Sequence, residues 1–212
     1  NAWQHSWFVP QAVDDLIAIH GGNEIFTSRL EKLFTESSEI TGDNVSADIT
    51  GLIGQYAHGN EPSHHIAYMF NHANQPWRTQ YWARHIMDTQ YNTTPNGLSG
   101  NEDCGQMSAW YVLSSIGLYP MNPASGEYEI GSPIFEKSTI KLPENKTFMI
   151  EAEYVSHTNF YIQSATLNGK PFTKTTLSHQ DILKGGTLHF VMGNKPNKNW
   201  GIKNKAQQLT KK

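Results

Sequence analysis

The sequence predicts an α+β fold, with a helical half followed by an antiparallel β-sandwich-like half. Two changes of pattern carry that prediction. From Val13 to Met87 apolar residues recur every three or four positions, the spacing of helices with one buried face. After Pro120 the chain breaks into short runs rich in β-branched and aromatic residues, separated by Gly, Pro and Asn turns.

The helical half divides at its Pro and Gly residues. Pro10 suits a first helical position, and Val13, Leu16, Ile17 and His20 share a face before the Gly21-Gly22 stop. Asn23 is placed to cap a second helix, with Phe26, Leu30, Leu33 and Phe34 as its buried stripe. Residues 35–50 are polar and lack an apolar period, which predicts a long loop. Pro62 marks another helix start, and Ile66, Met69, Phe70 and Ala73 give it a buried face. Gln75-Pro76-Trp77 opens a helix through Tyr81, Trp82, Ala83, Ile86 and Met87 to about Tyr91, with 92–100 as the return loop. The run Trp110 to Leu118 predicts the last helix of this half.

The second half reads as strands at 128–130, 137–142, 147–154, 161–167 and 187–192. Leu167-Asn-Gly-Lys170 is a two-residue hairpin signal, and Gly185-Gly186 a further turn. The expected organisation is a helical segment at 1–120, a β region at 121–201 reached through Asn122-Pro-Ala-Ser-Gly126, and a lysine-rich tail at 202–212.

Composition narrows the function classes. The chain has 212 residues, 37% hydrophobic and 17% charged, which is enough for a substantial core and argues against disorder. A net charge of -3, with lysines clustering only at the C-terminus, argues against a nucleic-acid partner. No apolar stretch approaches the roughly 20 residues that span a bilayer. Cys104 is the single cysteine, so no internal disulfide forms. Asn1-Ala-Trp-Gln has no initiator Met and no signal-peptide pattern, and reads as the interior of a longer chain.

Two stretches carry chemistry. In Leu98-Ser-Gly-Asn-Glu-Asp-Cys-Gly-Gln-Met-Ser108, the residues Asn101, Glu102 and Asp103 stand on a glycine-framed turn before a helix. Carboxylates there feel the positive end of the helix dipole, which predicts that Asp103 stays ionised. Such a group can act as base, metal ligand or sugar-hydroxyl acceptor, and it can equally be a helix cap. In Gly54-Gln-Tyr-Ala-His-Gly-Asn-Glu-Pro-Ser-His-His65, the residues Asn60 and Glu61 stand at a second helix start. If the two helices flank an intervening antiparallel one, both starts open on the same end of the bundle. Zinc does not suit the histidines: His64 and His65 are adjacent, whereas a zinc helix needs two His four apart, and His58 precedes the helix. A hard cation such as calcium prefers the oxygens of Asn60, Glu61, Asn101 and Asp103.

These motifs resemble the C-terminal part of glycoside hydrolase family 92, the calcium-dependent exo-acting alpha-mannosidases. The resemblance rests on Asn1-Ala-Trp-Gln4 with Trp7-Phe-Val-Pro10, the 54–65 stretch, Gln75-Pro-Trp77, Gly100 to Trp110, Gly117-Leu-Tyr-Pro120, Ile130-Gly-Ser-Pro133 and Pro196 to Gly201, in that order. It implies that residues 1–120 are a helix-pair segment of an alpha/alpha toroid. It further implies an inverting single displacement, in which Asp103 is the general base and Asn101 stands where some relatives carry a second Asp. The general acid would be a Glu just before Asn1. Calcium would hold the terminal mannose, with Asn60 and Glu61 as its candidate ligands; His58, Asn60, Glu61 and Glu102 are the candidate substrate contacts. The implied partners are a mannose-containing oligosaccharide of N-glycans or mannans, 1,2-linked, and the rest of the same polypeptide with its N-terminal domain. Secretion or a periplasmic location follows from such substrates, and the 212-residue chain alone is expected to be inactive. The competing reading is a non-catalytic carbohydrate-binding or structural module, whose aromatics would lie on an exposed β face. Trp77, Trp82 and Trp110 fall instead in predicted helices.

Overall fold

The computed structural model describes residues 2–39 and 49–202, so part of the polar loop, nearly all of the lysine-rich tail and Asn1 lie outside the described residues. The architecture is α+β, as the two patterns predict. A short helix α1 (Ala2–His5) precedes α2 (Val13–Ile19). Ala12 N donates to Val9 O at 3.2 Å, closing a turn over Pro10, so α2 starts three residues after the proline rather than on it. Helix α3 (Asn23–Thr35) buries Phe26, Leu30, Leu33 and Phe34, the stripe its period predicts. Asn23 is its first residue and not its cap; Gly22, with φ of 105°, leads into the helix without a side-chain bond.

A small hairpin, β1 (Leu52–Ile53) with β2 (Tyr56–Ala57), then runs on to Pro62. The expected α-helix is absent there. Two 3-10 helices, Glu61–Ser63 and Ile66–Asn71, take its place. All six residues of the second are buried, leaving no solvent face for an amphipathic helix. Tertiary bonds set the course of this stretch: the His65 ring bonds to Trp7 O at 2.8 Å, Tyr68 donates to Ser114 at 2.8 Å, and Asn71 donates to Glu129 at 2.8 Å. Helices α4 (Pro76–Gln90) and α5 (Gln106–Ser115) follow.

Helix α5 is displaced towards the N-terminus from the predicted 110–118. It ends early because Gly117 turns the chain at φ of 86°, and β3 (Leu118–Tyr119) pairs antiparallel with β4 (Glu127–Ile130). Beyond β4 come β5 (Lys137–Lys141), β6 (Thr147–Glu153), β7 (Tyr161–Leu167), β8 (Lys170–Pro171), β9 (Thr176–Ser178), α6 (His179–Leu183) and β10 (Gly186–Gly193). One sheet has the order β3-β4-β9 and the other β5-β6-β10-β7-β8. All their pairs are antiparallel except β10 with β6, which is parallel, so the β half is mixed where a purely antiparallel arrangement was expected.

Two hydrophobic cores result. The first joins Trp7, Phe26, Phe34, Phe70, Trp82 and Trp110; Phe34 stacks between Tyr56 and Trp82 at ring distances of 4.8 and 4.4 Å. The second joins Phe148, Ile162, Leu188, Phe190 and Trp200. Strand β3 serves both, Leu118 packing in the second and Tyr119 in the first. Polar ties cross between the layers. Buried Arg84 on α4 donates to Pro133 O at 2.8 Å and Ser156 O at 3.0 Å, and Gln80 accepts from Ile162 N at 2.9 Å. His72 bonds Asp14 at 3.1 Å on one side and Glu129 at 2.9 Å on the other. No described helix is long and apolar enough to cross a membrane.

Candidate active site

The two oxygen-rich helix starts meet. Glu61 opens the first 3-10 helix and Asp103 sits on the turn before α5; both are exposed, and their carboxyl groups lie within hydrogen-bond reach of each other. The hydrogen bond that a protonated Asp103 donates to the Glu61 carboxylate raises the Asp103 pKa above its ordinary value, with Glu61's negative charge acting in the same direction and His64 opposing. The neighbouring acid thus acts against the dipole of a helix that begins only at Gln106.

Capping falls to a different acid. Glu102 is half-buried, and its two oxygens accept from Ser108 N at 3.1 Å and Ser108 Oγ at 3.0 Å. Both bonds hold the first turn of α5, whose leading residue Gly105 has no side chain to do so. Asp103 is released from that task by a left-handed turn: Asp103, Cys104 and Gly105 have φ of 49°, 57° and 92°. Two consecutive non-glycine residues in this region cost about 1–2 kcal/mol each. The turn is held by Gln106 N to Asp103 O at 3.2 Å and Met107 N to Glu102 O at 3.3 Å.

His58 is also corrected. It is fully buried at 0% exposure, so no sugar reaches it. Tyr91 gives its single proton to Met107 O at 3.1 Å, so its oxygen must accept from His58 Nε2 at 2.6 Å. Nδ1 then accepts from the Tyr56 hydroxyl at 2.8 Å. The imidazole is thus a neutral link in a one-way chain of hydrogen bonds. Burial, with a smaller push from His64, lowers its pKa to about 2.

His64, which the sequence offered only as a poor zinc ligand, is buried and close enough to Asp103 to feel its charge. Its Nε2 donates to His58 O at 2.9 Å, so Nδ1 accepts from Gln106 Nε2 at 3.1 Å. Trp110 Nε1 donates to His64 O at 3.0 Å, and Gln106 also bonds the Tyr119 side chain. Burial lowers the His64 pKa, while the bond to His58 O and the Asp103 charge raise it. Gln106 was missed because a glutamine opening a helix carries no signal of its own. Asn101 lies exposed on the turn, and Asn60 is half-buried beside Glu61.

The pair Glu61 and Asp103 places two hard oxygen donors against each other, and that chemistry fits a divalent cation such as calcium. Among the described residues no group of three or more His, Cys, Asp or Glu is placed to hold a metal, so these side chains supply only part of the six to eight oxygens that calcium takes. A cavity of about 890 Å³ lies elsewhere, lined by Asp14, His72, Glu127, Glu129 and Thr175 among others; none of the sequence-predicted site residues borders it.

Comparison with known proteins gives consistent relatives. The sequence model of the glycosyl hydrolase family 92 catalytic domain matches residues 1–194. The family GH92 alpha-mannosidase BT3965 from Bacteroides thetaiotaomicron is 44% identical in its complex with mannoimidazole, with a TM-score of 0.88, over 95% of this chain and 26% of that one. The family GH92 inverting mannosidase BT2199 from the same organism is 37% identical with a TM-score of 0.83, over 96% of this chain and 28% of that one. An uncharacterized secreted glycosidase of Arthroderma benhamiae is 33% identical over 202 residues, 94% of this chain and 24% of its own length. The chain thus spans about a quarter of the length of these relatives.

Proposed function

The chain belongs to glycosyl hydrolase family 92, and on that premise we propose that it carries the general-base side of an exo-acting alpha-mannosidase. The substrate would be terminal alpha-mannosides of N-glycans or mannans, 1,2-linked, cleaved with inversion. The observation that carries this reading is the meeting of Glu61 and Asp103 on an accessible surface over the buried His64, Gln106 and His58 network. The relative described as an inverting mannosidase, and the one bound to mannoimidazole, supply the substrate class.

In this mechanism Asp103 takes a proton from the water that attacks the anomeric carbon, on the face opposite the leaving group. Inversion requires two carboxyl groups about 6.5–9.5 Å apart with that water between. The Glu61–Asp103 pair is too close for that role, so the acid partner comes from the remainder of the polypeptide. Glu61 instead tunes Asp103: an acid whose pKa is lifted towards the working pH is the stronger base once ionised. Asn101 stands beside the base and orients the water. Calcium, when bound, would take oxygens from Asn60 and Glu61 and supply a positive charge at the sugar's vicinal hydroxyls. Secretion or export to the periplasm accords with such substrates, and the fungal relative is described as secreted.

The test is an assay of the polypeptide carrying the complete catalytic domain against linkage-defined mannobioses, with and without a calcium chelator. Release of α-configured mannose would overturn inversion, since hydrolysis of an alpha-mannoside with inversion releases the β-anomer. No turnover of any mannobiose, or activity indifferent to the chelator, would overturn the substrate class or the calcium requirement respectively.

A further inference from the structure

The two carboxyl-bearing loops pack against each other where Gly59 meets Gly100. Thr50 and Gly59 face each other across the base of the β1-β2 hairpin, where Gly59 N donates to Thr50 O at 3.1 Å and His58 N donates to Gly51 O at 3.0 Å. Gly59 is two residues before Glu61, and Gly100 is three before Asp103. These glycines touch. A Cβ built on Gly100 would lie 2.9 Å from Gly59 O, 3.2 Å from Gly59 Cα and 2.9 Å from Thr50 Oγ1. A Cβ on Gly59 would lie 2.1 Å from Thr50 Oγ1, 3.1 Å from Thr50 O and 3.3 Å from Ser99 O. A Cβ at Gly100 would come closer to the Gly59 backbone than real Cβ atoms come, so that position requires hydrogen, whereas a Cβ at Gly59 collides chiefly with the Thr50 hydroxyl.

The Thr50 hydroxyl is the wedge in that seam. Its oxygen is buried and bonds to no described group, which is costly unless the position does something else. Neighbouring Gly51 is packed as tightly, its Cβ direction meeting Ser99 Cβ at 2.6 Å, so 50–51, 59 and 99–100 form one close-packed seam. Its far ends are the turns that carry Glu61 and Asp103.

We propose that Thr50, Gly59 and Gly100 are positioning residues that set the separation of the Glu61 and Asp103 carboxyl groups. The inference rests on the mannosidase reading and deepens it: none of the three touches substrate, and each acts through the loop it spaces. A small displacement at the seam is carried two or three residues to the carboxyl pair, where geometry governs turnover far more than binding.

A size swap in the polypeptide carrying the complete catalytic domain tests it, using an aryl alpha-mannoside and reading kcat, KM and the melting temperature. Gly59→Ala is expected to lower kcat at least tenfold with KM within threefold. Adding Thr50→Ala, which removes the atom that the new methyl meets, is expected to restore most of kcat. Wild-type kcat for Gly59→Ala, or a double variant no better than the single, overturns the proposal. Should Gly59→Ala not fold, Thr50→Ala alone remains decisive: kcat is expected to fall several-fold with an unchanged melting temperature, and wild-type kcat overturns the inference. Asp103→Asn separates the two levels. If it turns over normally the general-base assignment beneath this proposal fails, whereas an inactive Asp103→Asn beside a normal Gly59→Ala removes only the positioning role.

Discussion

The neutral His58 makes stability fall steeply on the acid side. In the fold its Nδ1 accepts the Tyr56 proton and its Nε2 donates to Tyr91, so a second ring proton would set two donors against each other in a fully buried site. The folded pKa is about 2, against 6.5 in the unfolded chain. Between those values the unfolded state binds the additional proton, so stability is full above pH 6.5 and is lost as pH falls. Each unit below 6.5 removes about 1.4 kcal/mol, so at pH 5 His58 alone lowers stability by about 2 kcal/mol. Burial lowers the pKa values of His64 and His65 as well, which adds slope of the same sign. Urea unfolding at pH 7 and pH 5 measures the total, and His58→Gln isolates the part due to His58, because glutamine does not titrate. The variant is expected to be less stable at pH 7 and to lose about 2 kcal/mol less than the wild type on going to pH 5. Equal losses in the two proteins would refute the neutral buried imidazole.

The remaining predictions concern the site and its core. In the polypeptide carrying the complete catalytic domain, Asp103→Asn is expected to lower kcat by about 10²–10⁴-fold, the usual contribution of a general base, while calcium affinity measured by calorimetry changes less. A near-normal rate would return Asp103 to a structural role. Glu61→Gln is expected to weaken calcium binding measured by calorimetry, and an unchanged affinity would remove Glu61 from the candidate ligands. Trp110→Ala is expected to cost about 3–5 kcal/mol in chemical denaturation, because the indole is fully buried and its Nε1 is bonded to His64 O; a cost under 1 kcal/mol would refute its place in the core.

Periodicity made much of the fold legible. The stripe of α3 could be read directly because one face is apolar and the other is wet, and the Asn168-Gly169 turn between β7 and β8 because few residues tolerate its φ values. What could not be read was non-local. The 65–71 segment is buried throughout and bonded to Trp7, Ser114 and Glu129, none of which its own period reveals. The parallel pairing of β10 with β6 escaped for the same reason: strand direction depends on how a connection closes, not on the residues within the strand.

The site shows where that boundary falls. Sequence placed Asn60, Glu61, Asn101, Glu102 and Asp103 at two loop ends and could not divide the work among them, since Glu102 and Asp103 are adjacent acids before one helix. A backbone event divides them. The left-handed run from Asp103 to Gly105 leaves the Glu102 carboxylate on Ser108 and brings the Asp103 carboxyl to Glu61 on another loop. Neither destination follows from residue type; both follow from a strained turn held in place by α5 and by the packing beneath it. The strain is therefore informative in its own right: a capping acid alone needs no left-handed aspartate beside it, whereas an acid that must reach across to a second loop does.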